Sequence, residues 1–239
     1  MDGGTGTWDT STINWTTSTG TANGLWAGGT NVAIFQGTAG TVTVSGTQSF
    51  GGLTFGSTGY TITGGTALSL AQDATIATPS GGNATLSTPI IGANAVTFTT
   101  GTAILGGTHT YSGATIVSSG TLQIGAGSTA GDLSGTSGVS VSSGATLTFN
   151  RSDAYSFAKA ISGAGAVTQS GGGATTLSGT NTYGGNTSID GGVLALFGNG
   201  SISNSPVINV GTGATVRVLI DSSNGQREWT TVGVSENII

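Results

Sequence analysis

Side chains that could carry acid–base or nucleophilic chemistry are few in this chain. Its 239 residues include one His, nine acidic and four basic side chains, and no Cys. His109 is the base that a Ser-His-Asp triad would have to use. It lies in "GTHTY", and a near copy, "GTNTY", follows 72 residues later with Asn181 in the equivalent place. A residue placed by a repeat register is typical of a turn or ladder position, so we assign no catalytic residue.

The acidic residues offer one candidate cluster. Glycosidases need two carboxylates that flank the bond they cleave. Asp132 and Asp153 are 21 residues apart, about one coil of a solenoid, and Arg151 lies close to the second of them. Stacking of successive coils would bring the three together as a functional acid/base cluster. The same residues are equally well explained as turn formers, since "NRSD" is a typical turn composition.

Metal and cofactor chemistry has little support in the sequence. Without Cys there is no disulfide, no thiolate metal site and no Cys nucleophile. We find no G-G-x-G-x-D calcium motif, no Walker motif and no dinucleotide-binding motif, and we expect no metal site and no cofactor. Thr-x-Thr rows such as "TVTV" and "TFTT" could order water and bind ice, but their irregular spacing argues against that function.

The charge of the chain excludes several partners. Only 5% of the residues are charged, and the net charge is −5. Four basic residues cannot neutralise a run of phosphates, so we expect no nucleic acid partner and no binding to an anionic membrane surface. No apolar run approaches the roughly 20 residues that span a bilayer, so we expect no stable membrane insertion in this segment.

Apolar residues alternate with Thr and Ser along most of the chain, as in "TLTFN" and "VLALFG". Alternate side chains of a strand point to opposite faces, so this pattern predicts strands with one apolar face. Gly, Ser and Asn interrupt almost every segment, which predicts short strands. We expect an all-β protein in which only "DAYSFAKAIS", from Asp153, could hold a helical turn.

Two copies of a unit of about 72 residues lie in tandem, and strand-Gly-turn segments recur within them about every 20 to 25 residues. This spacing predicts a right-handed parallel β-helix (β-solenoid) of about eight or nine coils over residues 46–218. The alternative is a β-sandwich or propeller of antiparallel hairpins. The tandem copying, without hairpin-like Asn-Gly turns, favours the β-helix.

The two ends of the chain differ from the repeats. Residues 1–45 contain Trp8, Trp15 and Trp26, which we interpret as an N-terminal cap over the core of the first coil. The alternative is a surface of aromatic rings for carbohydrate contact. Residues 219–239 form a charged C-terminal segment, a cap or a blunted edge.

The units "LGGTHTYSGATIVSSGTLQIG" and "LSGTNTYGGNTSIDGGVLAL" resemble the passenger-associated repeat of bacterial autotransporters, with its G-T-N-T-Y-x-G-x-T-x-I and G-x-L-x-L motifs. The likeness covers about residues 46–218. It implies a β-helical passenger that is exported across the outer membrane, and so a secreted or cell-surface protein.

We therefore expect a non-enzymatic, exported β-solenoid that forms an extracellular stalk, an adhesive surface or a self-assembling matrix or filament. Its expected partners are a host surface or glycan and, through head-to-tail self-association, other copies of itself. The alternative is a β-helical protein that binds or cleaves polysaccharide. Clustering of the acidic residues in one lateral groove would favour that alternative.

Overall fold

The computed structural model describes residues 3–16, 23–219, 229–232 and 237–238. These residues form 26 strands, numbered β1 to β26 along the chain, and no helix. The all-β class is confirmed. Among the described residues there is accordingly no helix with the length and apolarity to cross a membrane.

The largest sheet has eleven strands and runs the length of the molecule. In spatial order its strands are β1 (Gly6–Trp8), β5 (Thr41–Val44), β7 (Tyr60–Gly64), β9 (Asn83–Leu86), β12 (Thr102–Leu105), β14 (Thr121–Ser128), β16 (Thr146–Arg151), β19 (Ala166–Gln169), β21 (Thr187–Ile189), β23 (Ile208–Val210) and β26 (Asn237–Ile238). Chain order and spatial order agree, as they do when each coil contributes one strand to the sheet.

Two further sheets share that progression along the chain. The eight-stranded sheet contains β4 (Val32–Phe35), β6 (Thr47–Phe55), β8 (Ala67–Ala77), β10 (Ile90–Ile91), β11 (Val96–Thr99), β13 (Thr115–Val117), β15 (Val139–Val141) and β18 (Ile161–Ser162). The five-stranded sheet contains β17 (Ala154–Phe157), β20 (Ala174–Leu177), β22 (Val193–Phe197), β24 (Thr215–Leu219) and β25 (Trp229–Val232). A small antiparallel pair joins β2 (Trp15–Thr16) to β3 (Asn23–Gly24).

The ladders establish a parallel β-solenoid of about nine turns. Thr102 pairs in parallel with Thr121 of the next coil, and Thr121 pairs with Thr146 of the coil after it. Among the described strands, only the β2–β3, β23–β26 and β24–β25 pairs are antiparallel. The sandwich and propeller alternatives are therefore wrong. The helical turn considered for the segment from Asp153 is wrong as well, because the segment contains β17 and β18 and no helix.

The core is the stack of inward side chains that the alternation predicts. Leu122, Leu147 and Leu194 are completely buried, and they lie on strands that pair in register with their neighbours. One expected outward residue departs from the pattern. Thr148, whose partners on the two adjacent strands are Gln123 and Thr168, is only 8% exposed.

The last two described strands run against the solenoid. Strand β25 adds to β24, and β26 adds to β23, both antiparallel. Asp221, Arg227 and Glu228, the charged residues expected to blunt this end, lie outside the described residues. The division at residues 45 and 218, the cap roles and head-to-tail self-association all stay predictions.

Candidate functional site

A distortion in the largest sheet creates the surroundings of the predicted acidic cluster. The pairing of β14 with β16 changes register between Ile124 and Ser128. The chain folds back here, so that a Cβ on Gly131 would lie 2.4 Å from the backbone nitrogen of Gly125. Both glycines have positive φ, 86° at Gly125 and 100° at Gly131, a conformation that glycine adopts readily. The loop after β14 carries Asp132 to the edge of the next coil.

Arg151 lies at the end of β16, is 9% exposed and joins several parts of this region. Its Nε and Nη2 donate to the two carboxylate oxygens of Asp153 at 2.9 and 2.8 Å, a bidentate pair. Its Nη1 donates to the carbonyl of Gly131 in the preceding coil. The guanidinium carbon lies 4.7 Å from the ring centroid of Tyr155, a cation–π contact.

Asp132 accepts hydrogen bonds from two neighbours. Ser134 donates its backbone N–H to Oδ1 at 2.8 Å and its hydroxyl to Oδ2 at 2.7 Å. The hydroxyl of Tyr155, one coil further on, donates to Oδ1 at 2.9 Å and accepts from the backbone N–H of Leu133 at 3.1 Å. The structure thus brings Asp132, Arg151 and Asp153 to one place, with Tyr155 connecting them.

The electrostatics of the cluster favour two ionised carboxylates. Burial raises the pKa of Asp132, but the hydrogen bonds from Ser134 and Tyr155 and the charge of Arg151 outweigh it, so that the pKa lies below its ordinary value. The hydrogen bond from Arg151 lowers the pKa of Asp153. Burial raises the pKa of Tyr155, which therefore stays protonated and donates. A glycosidase acid needs the opposite, a carboxyl with a raised pKa.

A cavity of about 340 Å³ opens beside this cluster on the flank of the solenoid, and we call it the lateral pocket. Polar side chains dominate its lining. They are Thr108, Thr129, Asp132, Ser134, Arg151, Tyr155 and Ser156. Among the described residues no three His, Asp or Glu side chains gather as they would around a metal ion. The lateral pocket offers hydroxyl, carboxylate and guanidinium groups for hydrogen bonds to a ligand.

The three N-terminal tryptophans pack together inside the first coil, where we call them the tryptophan cluster. Trp8, Trp15 and Trp26 are at most 8% exposed. Their ring centroids lie 4.5 to 5.2 Å from one another, and that of Trp8 lies 5.8 Å from Phe35. Trp26 also donates its indole N–H to the carbonyl of Ser49 at 2.9 Å. Carbohydrate contact through these rings stays a prediction, and their faces are covered in this structure.

His109 and Asn181 perform the same structural task in the two repeats. Nδ1 of His109 accepts the backbone N–H of Ile90 at 3.1 Å, and Oδ1 of Asn181 accepts that of Ile161 at 3.0 Å. Both side chains are buried, at 0% and 5% exposure. Each therefore satisfies an isoleucine amide of the preceding coil that would otherwise lack a partner.

The Tyr and Thr of each motif begin a second connection, which we call the hydrogen-bond chain. The hydroxyl of Tyr111 lies 2.6 Å from Oγ1 of Thr115, which donates to Oγ1 of Thr136 at 2.9 Å. Thr136 in turn donates to the carbonyl of Gly113 at 2.8 Å. Because Thr115 gives its proton to Thr136, the Tyr111 hydroxyl must be the donor to Thr115.

The second repeat reproduces the hydrogen-bond chain with one substitution. Tyr183 lies 2.7 Å from Thr187, Thr187 donates to Ser205 at 3.0 Å, and Ser205 donates to the carbonyl of Gly185 at 2.9 Å. Ser205 belongs to the following coil, as Thr136 does in the first copy. Each repeat thus ties its own coil to the next through hydroxyls that are buried, except for the half-buried Ser205.

Two motif glycines are required by close approach of the preceding coil. A Cβ at Gly113 would lie 2.1 Å from the carbonyl oxygen of Asn94, and one at Gly185 would lie 2.2 Å from that of Gly165. Real Cβ atoms do not come this close to a backbone oxygen, so any other residue would push the coils apart. The repeated glycine is a packing requirement in both copies.

Comparison with known protein families identifies the repeat to which the two motifs are similar. The family model of the passenger-associated-transport-repeat matches residues 100–124 and 167–196. Those ranges contain Tyr111, Thr115, Tyr183 and Thr187, the first two members of each hydrogen-bond chain. The resemblance to bacterial autotransporter passengers is therefore confirmed.

One curated relative is also an autotransporter by name. The chain is 35% identical over 154 residues, 61% of its length, to a protein named adhesin BmaC autotransporter from Brucella suis biovar 1. It spans only 4% of the length of that protein.

Short matches also occur to (R)-citramalate synthases. One from Aquifex aeolicus is 64% identical over 31 residues, and one from Synechocystis sp. is 69% identical over 29 residues. They cover 13% and 12% of this chain, and 6% and 5% of the enzymes. Matches of this length show no catalytic function. No solved structure matches the chain significantly.

Proposed function

We propose that this chain is part of an exported, non-enzymatic passenger that acts at the bacterial cell surface as a stalk and adhesive surface. The observation that carries the proposal is the hydrogen-bond chain in both repeats. The residues that define the repeat form hydrogen bonds between one coil and the next, rather than a reactive centre. A repeat used in this way builds a rigid rod, on which ligand contacts depend on the side chains of the flanks.

The proposed stalk has a shape that can be measured. About nine turns at the usual spacing of roughly 4.8 Å between strands give a rod about 40 Å long. At 23.0 kDa a particle of this length is only slightly elongated, so the test follows its growth. A variant with one extra copy of the 72-residue unit, about three coils, should be about 14 Å longer at an unchanged cross-section in small-angle X-ray scattering. An equal increase in all dimensions would contradict the stalk.

The adhesive role is tested separately, with the chain on a surface. We expect polystyrene beads coated with the folded chain to attach to a layer of mammalian epithelial cells. Beads coated with albumin are the blank, and beads coated with the heat-unfolded chain show whether the fold is needed. Attachment no greater than that of the albumin beads would reject the adhesive role and leave the stalk untouched.

Polysaccharide binding is the second candidate, and the lateral pocket favours it. Asp132 and Asp153 against Arg151 give the cluster beside the pocket one excess negative charge, which disfavours uronate and sialylated glycans and leaves neutral sugars. Hydroxyls of a neutral sugar match the acceptors and donors of the lining. Cleavage is less well supported than binding, because the pKa of both carboxyls is lowered.

A glycan array distinguishes these possibilities. Binding to neutral oligosaccharides that is lost in Asp132→Asn supports the second candidate. A control variant, Asp190→Asn, changes an exposed acid away from the pocket lining and should bind as the parent does. Release of reducing ends from a neutral polysaccharide, abolished by Asp132→Asn, would overturn the non-enzymatic proposal.

A further inference from the structure

His109 has a second property that its partner Asn181 lacks, because it can take up a proton. Its Nδ1 accepts the N–H of Ile90, so in the neutral ring the proton is on Nε2. Nε2 is buried and has no hydrogen-bond partner among the described residues. A second proton would have to go to Nδ1, which would turn the acceptor into a donor facing the donor of Ile90. Asn181 makes the same bond without this alternative.

The segment around His109 is also held by the following coil. The backbone N–H of His109 donates to the carbonyl of Asp132, and the N–H of Asp132 donates to the carbonyl of Gly107, both at 2.9 Å. These two bonds hold the backbone of Asp132 in place. Thr108, which lies between Gly107 and His109 in the chain, lines the lateral pocket. His109 therefore bonds the preceding coil through its side chain and a wall of the pocket through its backbone.

We propose that His109 is an acid-sensitive latch, whose protonation releases the segment 107–109 from Ile90 and disassembles the wall of the lateral pocket. The inference does not depend on what the pocket binds, and it concerns the first repeat only. The second repeat is the built-in control, since Asn181 cannot be protonated in this range.

Burial is the dominant influence on the pKa of His109. Burial lowers the pKa of His109 to about 4, against smaller opposing effects of the Leu86 carbonyl and the Asp132 carboxylate. Leu86 and Ile90 of the preceding coil contribute only backbone groups, and Asp132 is the charged residue that acts from the following coil. Attraction by one partly exposed carboxylate is too weak to offset complete burial of the ring.

The sign of the pH effect follows from where the proton binds. An opened segment takes up the proton near pH 6.5 and the closed one only near pH 4, so opening is favoured as the pH falls through this interval. Between pH 7 and pH 5 the equilibrium constant for opening should rise by about 20-fold. Well above pH 6.5 the acid contribution to opening is absent.

Hydrogen–deuterium exchange of the full chain at pH 7 and pH 5 tests the latch. Exchange is followed at the Ile90 and Asp132 amides and, as the reference for the intrinsic effect of pH, at the Ile161 amide. We expect the first two to lose protection about 20-fold relative to Ile161 at the lower pH. Equal changes at Ile90 and Ile161 would overturn the proposal.

Two reciprocal variants complete the test. His109→Asn keeps the acceptor that the second repeat uses, so it should stay folded at pH 7 and lose the extra acid response at Ile90 and Asp132. Asn181→His should give the Ile161 amide an acid response of the same sign. An acid response that persists in His109→Asn would assign the effect to another group and remove His109 from the account.

Discussion

The hydroxyls of Tyr111 and Thr115 lie 2.6 Å apart inside the solenoid, four residues apart along the chain. The same contact, at 2.7 Å, joins Tyr183 to Thr187 in the second repeat. In each copy the threonine passes the connection to a hydroxyl of the next coil. A motif that recurs 72 residues later thus recurs as a contact between coils.

The first prediction concerns the hydroxyl that begins this hydrogen-bond chain. Tyr111→Phe and Tyr183→Phe each remove one buried hydrogen bond and keep the ring, so each should lower the free energy of unfolding by about 1 kcal/mol. Urea unfolding followed by circular dichroism measures the loss. The two variants should agree closely, because the surroundings are repeated. A loss of stability in only one of the two variants would show that the two tyrosines do not make equivalent contacts.

The second prediction uses two neighbouring glycines. Gly185→Ala places a Cβ against the carbonyl of Gly165 and should cost about 1–3 kcal/mol or more. Gly184→Ala is the matched control, since a Cβ there meets nothing within 4 Å, and it should change stability by less than about 0.5 kcal/mol. Thermal unfolding of the pair measures the difference. Equal melting temperatures would mean that the coils do not approach as described.

The third prediction concerns the acidic cluster. Tyr155→Phe removes a hydrogen bond to the ionised Asp132, so the pKa of Asp132 should rise. Because a lowered carboxyl pKa stabilises the fold above the ordinary value of 3.8 and is lost as the pH falls through the folded-state pKa, this contribution should shrink in the variant.

Carboxyl chemical shifts of Asp132 against pH give the measurement for this variant. Tyr60→Phe is its control, because the Tyr60 hydroxyl bonds the carbonyls of Gln36 and Thr38 in another coil. An unchanged pKa of Asp132 in Tyr155→Phe would show that the Tyr155 hydroxyl does not act on this carboxyl, which would contradict the prediction.

The parts of the fold that follow from local rules could be predicted from the sequence. Alternation predicts which side chains face inward, and Leu147 of "TLTFN" and Leu194 of "VLALFG" are completely buried as it predicts. Tandem copies can stack only by repeating one cross-section, which led to the parallel solenoid. The recurrence of the motif glycines is also visible in the sequence, although the carbonyl oxygens that approach them cannot be predicted from it.

The contacts between coils could not be predicted in the same way. Spacing placed Asp132 near Arg151 and Asp153, but the link through Tyr155 depends on the register shift after Ile124, which the sequence does not mark. The one hint in the sequence is Tyr155 itself, which lies two residues after Asp153 in an alternating segment. The burial of the tryptophan cluster could not be predicted either, because composition alone does not distinguish a covered ring from an exposed one.

The central claim is that the coils stack in parallel in the observed register, and a pair of introduced cysteines tests it most directly. The chain has no Cys of its own, and Thr168 and Ser188 are register partners on β19 and β21. Thr168→Cys with Ser188→Cys should form a disulfide on mild oxidation, because partner Cα atoms in a sheet lie about 4.8 Å apart. Thr168→Cys with Asp190→Cys, two residues further along the strand direction at about 8 Å, should not. Cross-linking of the offset pair, or of neither pair, would contradict the account.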